Sequence, residues 1–216
     1  MALTPQKLAD LRQDYSLRGL DLCDIDPDPI VQFQRWLAEA HSNDLIEPNA
    51  MTLATVDATG QPWSRTVLLK VCDVRGFAFF TNYMGTKASH LEAEPRAALT
   101  FWWSAMERQV NVTGRVHKTS REESEAYFTS RPLASQLGAW ASPQSSTLAN
   151  REELELSFEQ QKKRFEGLSI PCPEQWGGFR LAPERIEFWQ GRRSRLHDRL
   201  RFERAPEGWT ITRLAP

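Results

Sequence analysis

Apolar and polar positions recur with two different periods along this chain, and each change of period marks a new element. Between residues 28 and 41 the period is helical: Ile30, Phe33, Trp36, Leu37 and Ala40 fall on one face. Asp28 followed by Pro29 supplies an N-cap and a first helical position, because a carboxylate accepts an otherwise free backbone N–H and proline has none to leave unpaired. From Ala50 the period is two. Residues 51–56 and 63–71 read as strands joined by a turn at 57–61 containing Gly60, and 77–81 is a third strand after a turn at 74–76. A short helix is predicted over 87–93, stopped near Pro95. Residues 97–103 and 108–117 are further strands. In the second of these, Val110, Val112 and Val116 alternate with Gln109, Asn111, Thr113 and Arg115, giving one apolar side and one wet or ligand-facing side.

The second half returns to helical spacing. Ser120 and Glu123 stand in capping-box relation at the head of a helix over 120–130, and Pro132 begins a second helical piece through Trp140. A polar loop at 142–146 leads to an amphipathic helix over 149–167, and 171–178 is a crossing punctuated by Pro and Gly. Closing strands are predicted at 179–182, 185–190, 196–205 and 209–214, the last two joined by a Pro-Glu-Gly turn. One helix, then many antiparallel strands with helices inserted, predicts an α+β protein, mainly antiparallel β, around a closed or nearly closed sheet. Residues 1–25 read as a loosely attached arm with a helix around 5–15, and 26–216 as a single domain.

Composition narrows the partners. Net charge is −1 over 216 residues, so nothing global steers the chain toward nucleic acid or a membrane surface. No apolar run approaches the roughly 20 residues that span a bilayer, and the N-terminal stretch is polar. Cys23, Cys72 and Cys172 are isolated, which predicts reduced thiols in a cytoplasmic protein. His41, His90, His117 and His197 lack metal-ligand spacing, so no metal is expected. Eight tryptophans imply a well-filled core, flat binding surfaces, or both.

The chemistry-bearing positions gather in four places. Arg65-Thr-Val-Leu-Leu-Lys70 lies on a strand, where strict alternation sends Arg65 and Lys70 to opposite faces; they serve two anions, or are solvated strand-end cations. Phe80-Thr81 leads through Gly85-Thr86-Lys87 into a helix N-terminus, a natural phosphate site that many helices nevertheless resemble. Tyr127 and Arg131 are i, i+4 neighbours with Ser135 in the next turn, a second phosphate site or a surface ion beside a half-buried ring. From Trp189 to Arg199 the chain carries four arginines and a histidine. If 195–199 is extended, Arg195, His197 and Arg199 share one face, either a basic strand in solvent or a surface for an anionic or electron-rich partner. Two phosphate sites, flat aromatics and no nucleophile motif fit a phosphorylated flat cofactor beside a phosphorylated small molecule.

In register, the segments Arg65-x-Val-Leu-Leu-Lys70, Glu107-Arg-Gln-Val, Ser130-Arg-Pro-x-x-Ser-Gln136, Gly138-Ala-Trp140, Gln144-Ser-Ser146, Trp176-Gly-Gly-Phe-Arg180, Ile186-Glu-Phe-Trp-Gln-Gly191, Arg195-Leu-His-Asp-Arg199 and Arg213-Leu-Ala-Pro216 resemble the pyridoxine/pyridoxamine 5′-phosphate oxidase family over roughly residues 11–216. The resemblance implies an FMN-binding split β-barrel with flanking helices. It implies a homodimer with FMN at the subunit interface, Gln144 and Ser145 reaching from one chain toward the other's Arg65. The FMN contacts it implies are Arg65, Thr66, Val67, Leu68, Leu69, Lys70, Phe80, Thr81, Thr86, Lys87, Gln109, Gln144, Ser145, Trp189 and Arg199. Lys70, Tyr127, Arg131 and Ser135 would hold the substrate phosphate; Arg195, Leu196 and His197 would lie at the pyridine ring, Arg195 and His197 as the catalytic pair, with Arg12, Gln13, Asp14 and Tyr15 as a lid. The implied reaction oxidises pyridoxamine or pyridoxine 5′-phosphate to pyridoxal 5′-phosphate, with O2 as acceptor giving hydrogen peroxide. In one departure, Gly85-Thr86-Lys87 stands where the family usually has Ser-Arg-Lys, which removes a phosphate-binding arginine. A non-catalytic flavin carrier or sensor would keep the FMN residues and lose Tyr127, Arg131, Ser135, Arg195 and His197, all present here.

Overall fold

The computed structural model describes residues 6–7 and 15–216. The expected lid residues Arg12, Gln13 and Asp14 lie outside them, as does most of the helix expected around 5–15. Among the described residues nine strands run β1 (Ala50–Val56), β2 (Pro62–Leu68), β3 (Val71–Asp73), β4 (Gly76–Asn82), β5 (Arg96–Trp103), β6 (Arg108–Lys118), β7 (Trp176–Gln190), β8 (Asp198–Arg204) and β9 (Trp209–Leu214). The helices are α1 (Pro29–Ser42), α2 (Thr86–Ala93), α3 (Arg121–Ser130), α4 (Leu133–Ala141) and α5 (Arg151–Arg164). Hydrogen bonding orders the strands β2-β1-β5-β6-β7-β4-β3, with β8 on β7 and β9 on β8. Among the described residues no helix is long and apolar enough to cross a membrane.

The chain divides into two compact units. The first comprises residues 1–48, 101–111 and 185–216; the second comprises 49–100 and 112–184. In the first, the Asp28 carboxylate accepts from Ile30 N–H, as the cap pattern predicts, and α1 buries Ile30, Phe33, Trp36 and Ala40. Phe33 packs on Phe101 and Trp36 edge-on to Phe188, at centroid distances of 4.7 and 5.2 Å. Each such buried ring contributes roughly 1.5–3 kcal/mol relative to exposure. Residues 15–25 contribute Leu20 and Ile25 to the buried set. In the same unit β8 pairs with 185–190 of β7 and with β9.

The second unit holds the β1–β2 hairpin, in register from Ala50↔Leu68 to Val56↔Pro62, and the β4–β7 ladder from Phe77↔Leu181 to Asn82↔Trp176. Here α3 begins as predicted, Ser120 Oγ accepting from Glu123 N–H.

Four expectations are corrected. The strand expected over 63–71 breaks after Leu68: Leu69 N–H donates to Asn49 O and Lys70 N–H to Ala78 O, so the chain leaves one neighbour for another and β3 starts at Val71. Alternation therefore does not carry from Arg65 to Lys70. The strands expected at 179–182 and 185–190 are one strand, β7, which already begins at Trp176. The helix expected over 149–167 is shorter, Arg151–Arg164, and buries none of its residues; Phe158 only packs at a core edge, and Ser157 Oγ donates to Ala141 O. The strand expected from 196 begins at Asp198, because Ser194 and Arg195 take positive φ (56° and 61°) in a 3-10 turn over Arg193–Arg195.

Candidate active site

The second unit contains a cleft of about 440 Å3 lined by Thr66, Val67, Leu68, Lys70, Phe80, Thr81, Lys87, Tyr127, Arg131, Pro132, Ser135, Gln144 and Trp176. Three cations line it and no carboxylate does. Among the described residues none of Arg65, Lys70, Lys87 or Arg131 has an ion-pair partner. The break after β2 sets Lys70 in the same cleft as Thr66, and α2 brings Lys87 to its wall.

Local structure explains how each group is held. Lys87 Nζ donates to Gln144 Oε1 (2.6 Å) and Thr81 Oγ1 (3.0 Å). Burial and the neighbouring Arg65 cation push the Lys87 pKa below its ordinary value. Burial likewise lowers that of Arg65. Thr86 N–H, at the start of α2, donates to Ser145 Oγ (3.2 Å), Ser145 itself at φ 72°. A Cβ at Gly85 would meet Gln144 Oε1 at 2.7 Å, so the glycine lets Gln144 close onto Lys87.

Within the chain both loop residues reach α2, Gln144 by accepting from Lys87 and Ser145 by accepting from Thr86 N–H. Leu69, between the lining residues Leu68 and Lys70, is buried.

On the opposite wall the Phe80 and Tyr127 rings stack at 4.1 Å, and Phe80 and Trp176 at 5.7 Å. Phe80 fits there because Gly178 leaves room; a Cβ at Gly178 would meet Phe80 Cε1 at 2.8 Å. The Arg131 guanidinium lies 4.8 Å from the Trp176 ring centre. Its Nη1 is buried without a hydrogen-bond partner, and burial lowers the Arg131 pKa. A buried guanidinium nitrogen with no acceptor costs free energy until an anion supplies one. Trp176 and Pro132 were not picked out from sequence as site residues; only the tryptophan count hinted at flat binding surfaces.

The remaining candidates belong to the first unit. Gln109 is half-buried on β6. His197 Nδ1 accepts from Arg192 N–H (3.1 Å), and the His197 ring lies 4.6 Å from Trp189 and 5.6 Å from Tyr15. Burial, then the Arg195 cation, lowers the His197 pKa against the opposing pull of Asp198. Tyr15 is held at its carbonyl side, since the Glu107 carboxylate accepts from Ser16 and Leu17 N–H.

Arg195, His197 and Arg199 do not share a strand face as expected: Arg195 sits in the positive-φ turn and Leu196 is 70% exposed. Only Arg199 is on β8, paired across from Trp189. Its guanidinium grips the Glu187 carboxylate through Nε and Nη2 (2.9 and 3.0 Å) and Ala215 O through Nη1. Sequence reading missed this partner; Glu187 and Arg199 are 12 residues apart and only the β7–β8 register joins them.

The chemistry of the donors is that of a site for a phosphorylated, planar ligand, and the comparisons with known proteins agree. Residues 37–164 match the pyridoxamine 5′-phosphate oxidase family, and 176–216 match the pyridoxine 5′-phosphate oxidase C-terminal dimerisation region. The chain is 57% identical over 210 residues to pyridoxine/pyridoxamine 5′-phosphate oxidase 1 of Ralstonia nicotianae, covering 97% of this chain and 99% of that protein. It is 56% identical to the pyridoxine/pyridoxamine 5′-phosphate oxidase of Rubrobacter xylanophilus, with 97% and 96% covered. Among solved structures, PhzG of Burkholderia lata in complex with tetrahydrophenazine-1-carboxylic acid superposes with a TM-score of 0.88 at 29% identity, over 94% of this chain and 100% of that one. A pyridoxamine 5′-phosphate oxidase-related, FMN-binding protein of Nostoc punctiforme shares the fold at 17% identity, with a TM-score of 0.68 and 85% and 97% covered. The fold is therefore the split β-barrel, α+β and mainly antiparallel, and a family match spanning more than half the chain, beside relatives identical at more than half their positions, shows that the chain belongs to the pyridoxamine 5′-phosphate oxidase family.

Proposed function

We propose that this protein is an FMN-dependent oxidase that converts pyridoxamine or pyridoxine 5′-phosphate to pyridoxal 5′-phosphate. The observation that carries the reading is the buried, partnerless Nη1 of Arg131 in a cationic cleft free of carboxylates, in a chain of this family. FMN, held by the residues named below, would supply the two-electron acceptor for oxidation at the substrate C4′, with O2 as the final acceptor giving hydrogen peroxide.

The protein's own part is binding and orientation. Arg131, Tyr127, Ser135 and Lys70 hold the substrate phosphate; the Arg131 guanidinium, oriented on Trp176, presents a fork that suits its oxygens. Arg65, Lys87, Thr81 and the N-terminus of α2 hold the FMN phosphate, with Gln144 and Ser145 bracing that end. Residues 66–70 and Phe80 line the flavin, joined by Gln109, Trp189 and Arg199. Arg195 and His197 act at the pyridine ring, the lowered His197 pKa keeping a neutral imidazole there near pH 7. Residues 12–15 serve as its lid, in an arm over 1–25 ahead of one FMN-binding domain at 26–216. The proposal includes a homodimer with FMN at the subunit interface, supported by the match to a dimerisation region. A cytoplasmic setting belongs to the same reading, since Cys23, Cys72 and Cys172 form no disulfide.

The presence of Arg131 in the same cleft as Lys87 favours an oxidase over a flavin carrier, which needs only the Lys87 end. Absorbance of the purified protein tests this: flavin bands should be present and should bleach anaerobically on adding pyridoxamine 5′-phosphate. Flavin bands that pyridoxamine 5′-phosphate leaves unchanged would identify a carrier. Light scattering should report a dimer, and a monomer with stoichiometric FMN would overturn the interface.

A further inference from the structure

Arg65 is reached from behind by a hydrogen-bond chain that no part of the proposed reaction uses. Its Nη1 donates to Thr55 Oγ1 (2.6 Å) and, less closely, to the carbonyls of Leu53 (3.2 Å) and Trp63 (3.4 Å). Thr55 Oγ1 lies 3.0 Å from His90 Nδ1. Thr55 and His90 are buried, at 1% and 6% exposure, and the His90 ring lies 5.8 Å from that of Trp63. His90 follows Lys87 by three residues on α2, so one helical face carries both.

Donor counting fixes the direction of the first link. A guanidinium only donates, so the Thr55 oxygen accepts from Arg65. The hydroxyl hydrogen has no other acceptor among the described hydrogen bonds, and His90 Nδ1 at 3.0 Å is placed to take it in the tautomer that leaves that nitrogen unprotonated. The result anchors one edge of the Arg65 guanidinium; Nε and Nη2 make no hydrogen bond among the described residues and remain for a ligand.

We propose that Thr55 and His90 are positioning residues that orient Arg65 beside Lys87 for the FMN phosphate, His90 Nδ1 accepting from the Thr55 hydroxyl so that its oxygen faces the guanidinium. The inference rests on the reading above, in which Arg65 and Lys87 hold that phosphate. Neither residue lines the cleft, and neither belongs to the motifs that carry the family resemblance.

The test measures FMN dissociation from the purified holoprotein, by the fluorescence of released FMN, beside KM for pyridoxamine 5′-phosphate at saturating FMN. Thr55→Val keeps the shape and removes the hydroxyl; the FMN Kd should rise about tenfold, the effect of one charge-assisted hydrogen bond, with the KM moving far less. Thr55→Ser should restore affinity. His90→Leu should weaken FMN like Thr55→Val. His90→Asn, whose Oδ1 stands in for Nδ1 as acceptor, should stay near the parent. The double variant Thr55→Val/His90→Leu should be no worse than either single one, because both cut the same chain. The inference is overturned if Thr55→Ser or His90→Asn is as damaging as its apolar counterpart, or if the two losses add, since packing alone would do that. Arg65→Ala separates the two levels. If it leaves FMN affinity unchanged, the phosphate reading of Arg65 fails and this inference with it. If it weakens FMN while the Thr55 and His90 variants do not, only the positioning role fails.

Discussion

Two clusters of arginine and lysine in this molecule look alike in sequence and differ in electrostatics. In the first unit, the cations around 192–213 mostly meet carboxylates: Arg199 grips Glu187, and Arg213 bridges Asp198 and Asp21 at 2.8 Å each. In the second unit, Lys70, Lys87 and Arg131 converge on a cleft with no carboxylate in its lining. Burial without a counter-ion lowers the pKa values of Lys87 and Arg131, the Arg65 cation adding to the effect at Lys87, while that of Arg199 is raised by Glu187. A paired cation is satisfied by the fold, whereas an unpaired, buried one is a site waiting for an anion. Basic density along a sequence is therefore a poor guide to function, and the local supply of carboxylates decides.

The contrast is sharpest at Arg131. Replacing it with Ala should raise KM for pyridoxamine 5′-phosphate by roughly 10- to 100-fold, about 1.5–3 kcal/mol for a charge-assisted phosphate contact. FMN content should stay intact, and loss of FMN with an unchanged KM would reverse the assignment of the two phosphate pockets. In the paired cluster the larger effect should be on stability. Glu187→Ala leaves Arg199, 31% exposed, with a carbonyl as its remaining partner. About 1–2 kcal/mol of stability should be lost, between the values for exposed and buried pairs, lowering Tm by a few degrees. A Tm unchanged in Glu187→Ala would erase the distinction drawn between the clusters.

Lys87 should show the opposite stability trend. Its pKa is lowered in the folded chain, so the folded state binds its proton less readily than the unfolded state. The charged form costs stability fully below the lowered pKa, and the cost disappears as pH rises toward the ordinary 10.5. Lys87→Met should thus raise the Tm of FMN-free protein at pH 7, flatten its rise with pH in that alkaline window, and weaken FMN binding. An FMN-free Tm that falls in Lys87→Met would show that the lysine is not under charge strain.

The smallest effect is expected at the departure from the family pattern. Thr86 is exposed beside Lys87, and Thr86→Arg would add a fork-shaped donor at the start of α2. Repulsion from Lys87 offsets part of the gain, yet the phosphate dianion is the stronger partner. FMN should dissociate a few-fold more slowly, with Tm raised only when FMN is present. Equal or weaker FMN affinity would mean that position 86 does not face the phosphate.

Sequence alone determined what depends on neighbours in the chain. The Asp28 cap, the apolar face of α1, the Ser120 cap of α3 and the alternation of β6 are local, and the structure has them where the pattern predicts. Motifs in register were enough to gather Lys70, Lys87, Tyr127, Arg131 and Ser135 as site residues, and one cleft holds them all. Tertiary structure decided what depends on distant partners or on backbone sign. Nothing local says that the strand carrying Arg65 breaks before Lys70, that Gln144 closes on Lys87 57 residues away, or that Glu187 neutralises Arg199. The positive φ at Ser194 and Arg195 likewise undid the shared face of Arg195, His197 and Arg199. Periodicity assumes a uniform backbone, and a two-residue excursion into the left-handed region is enough to end it. Which cations stay unpaired is settled only once folding has assigned every carboxylate.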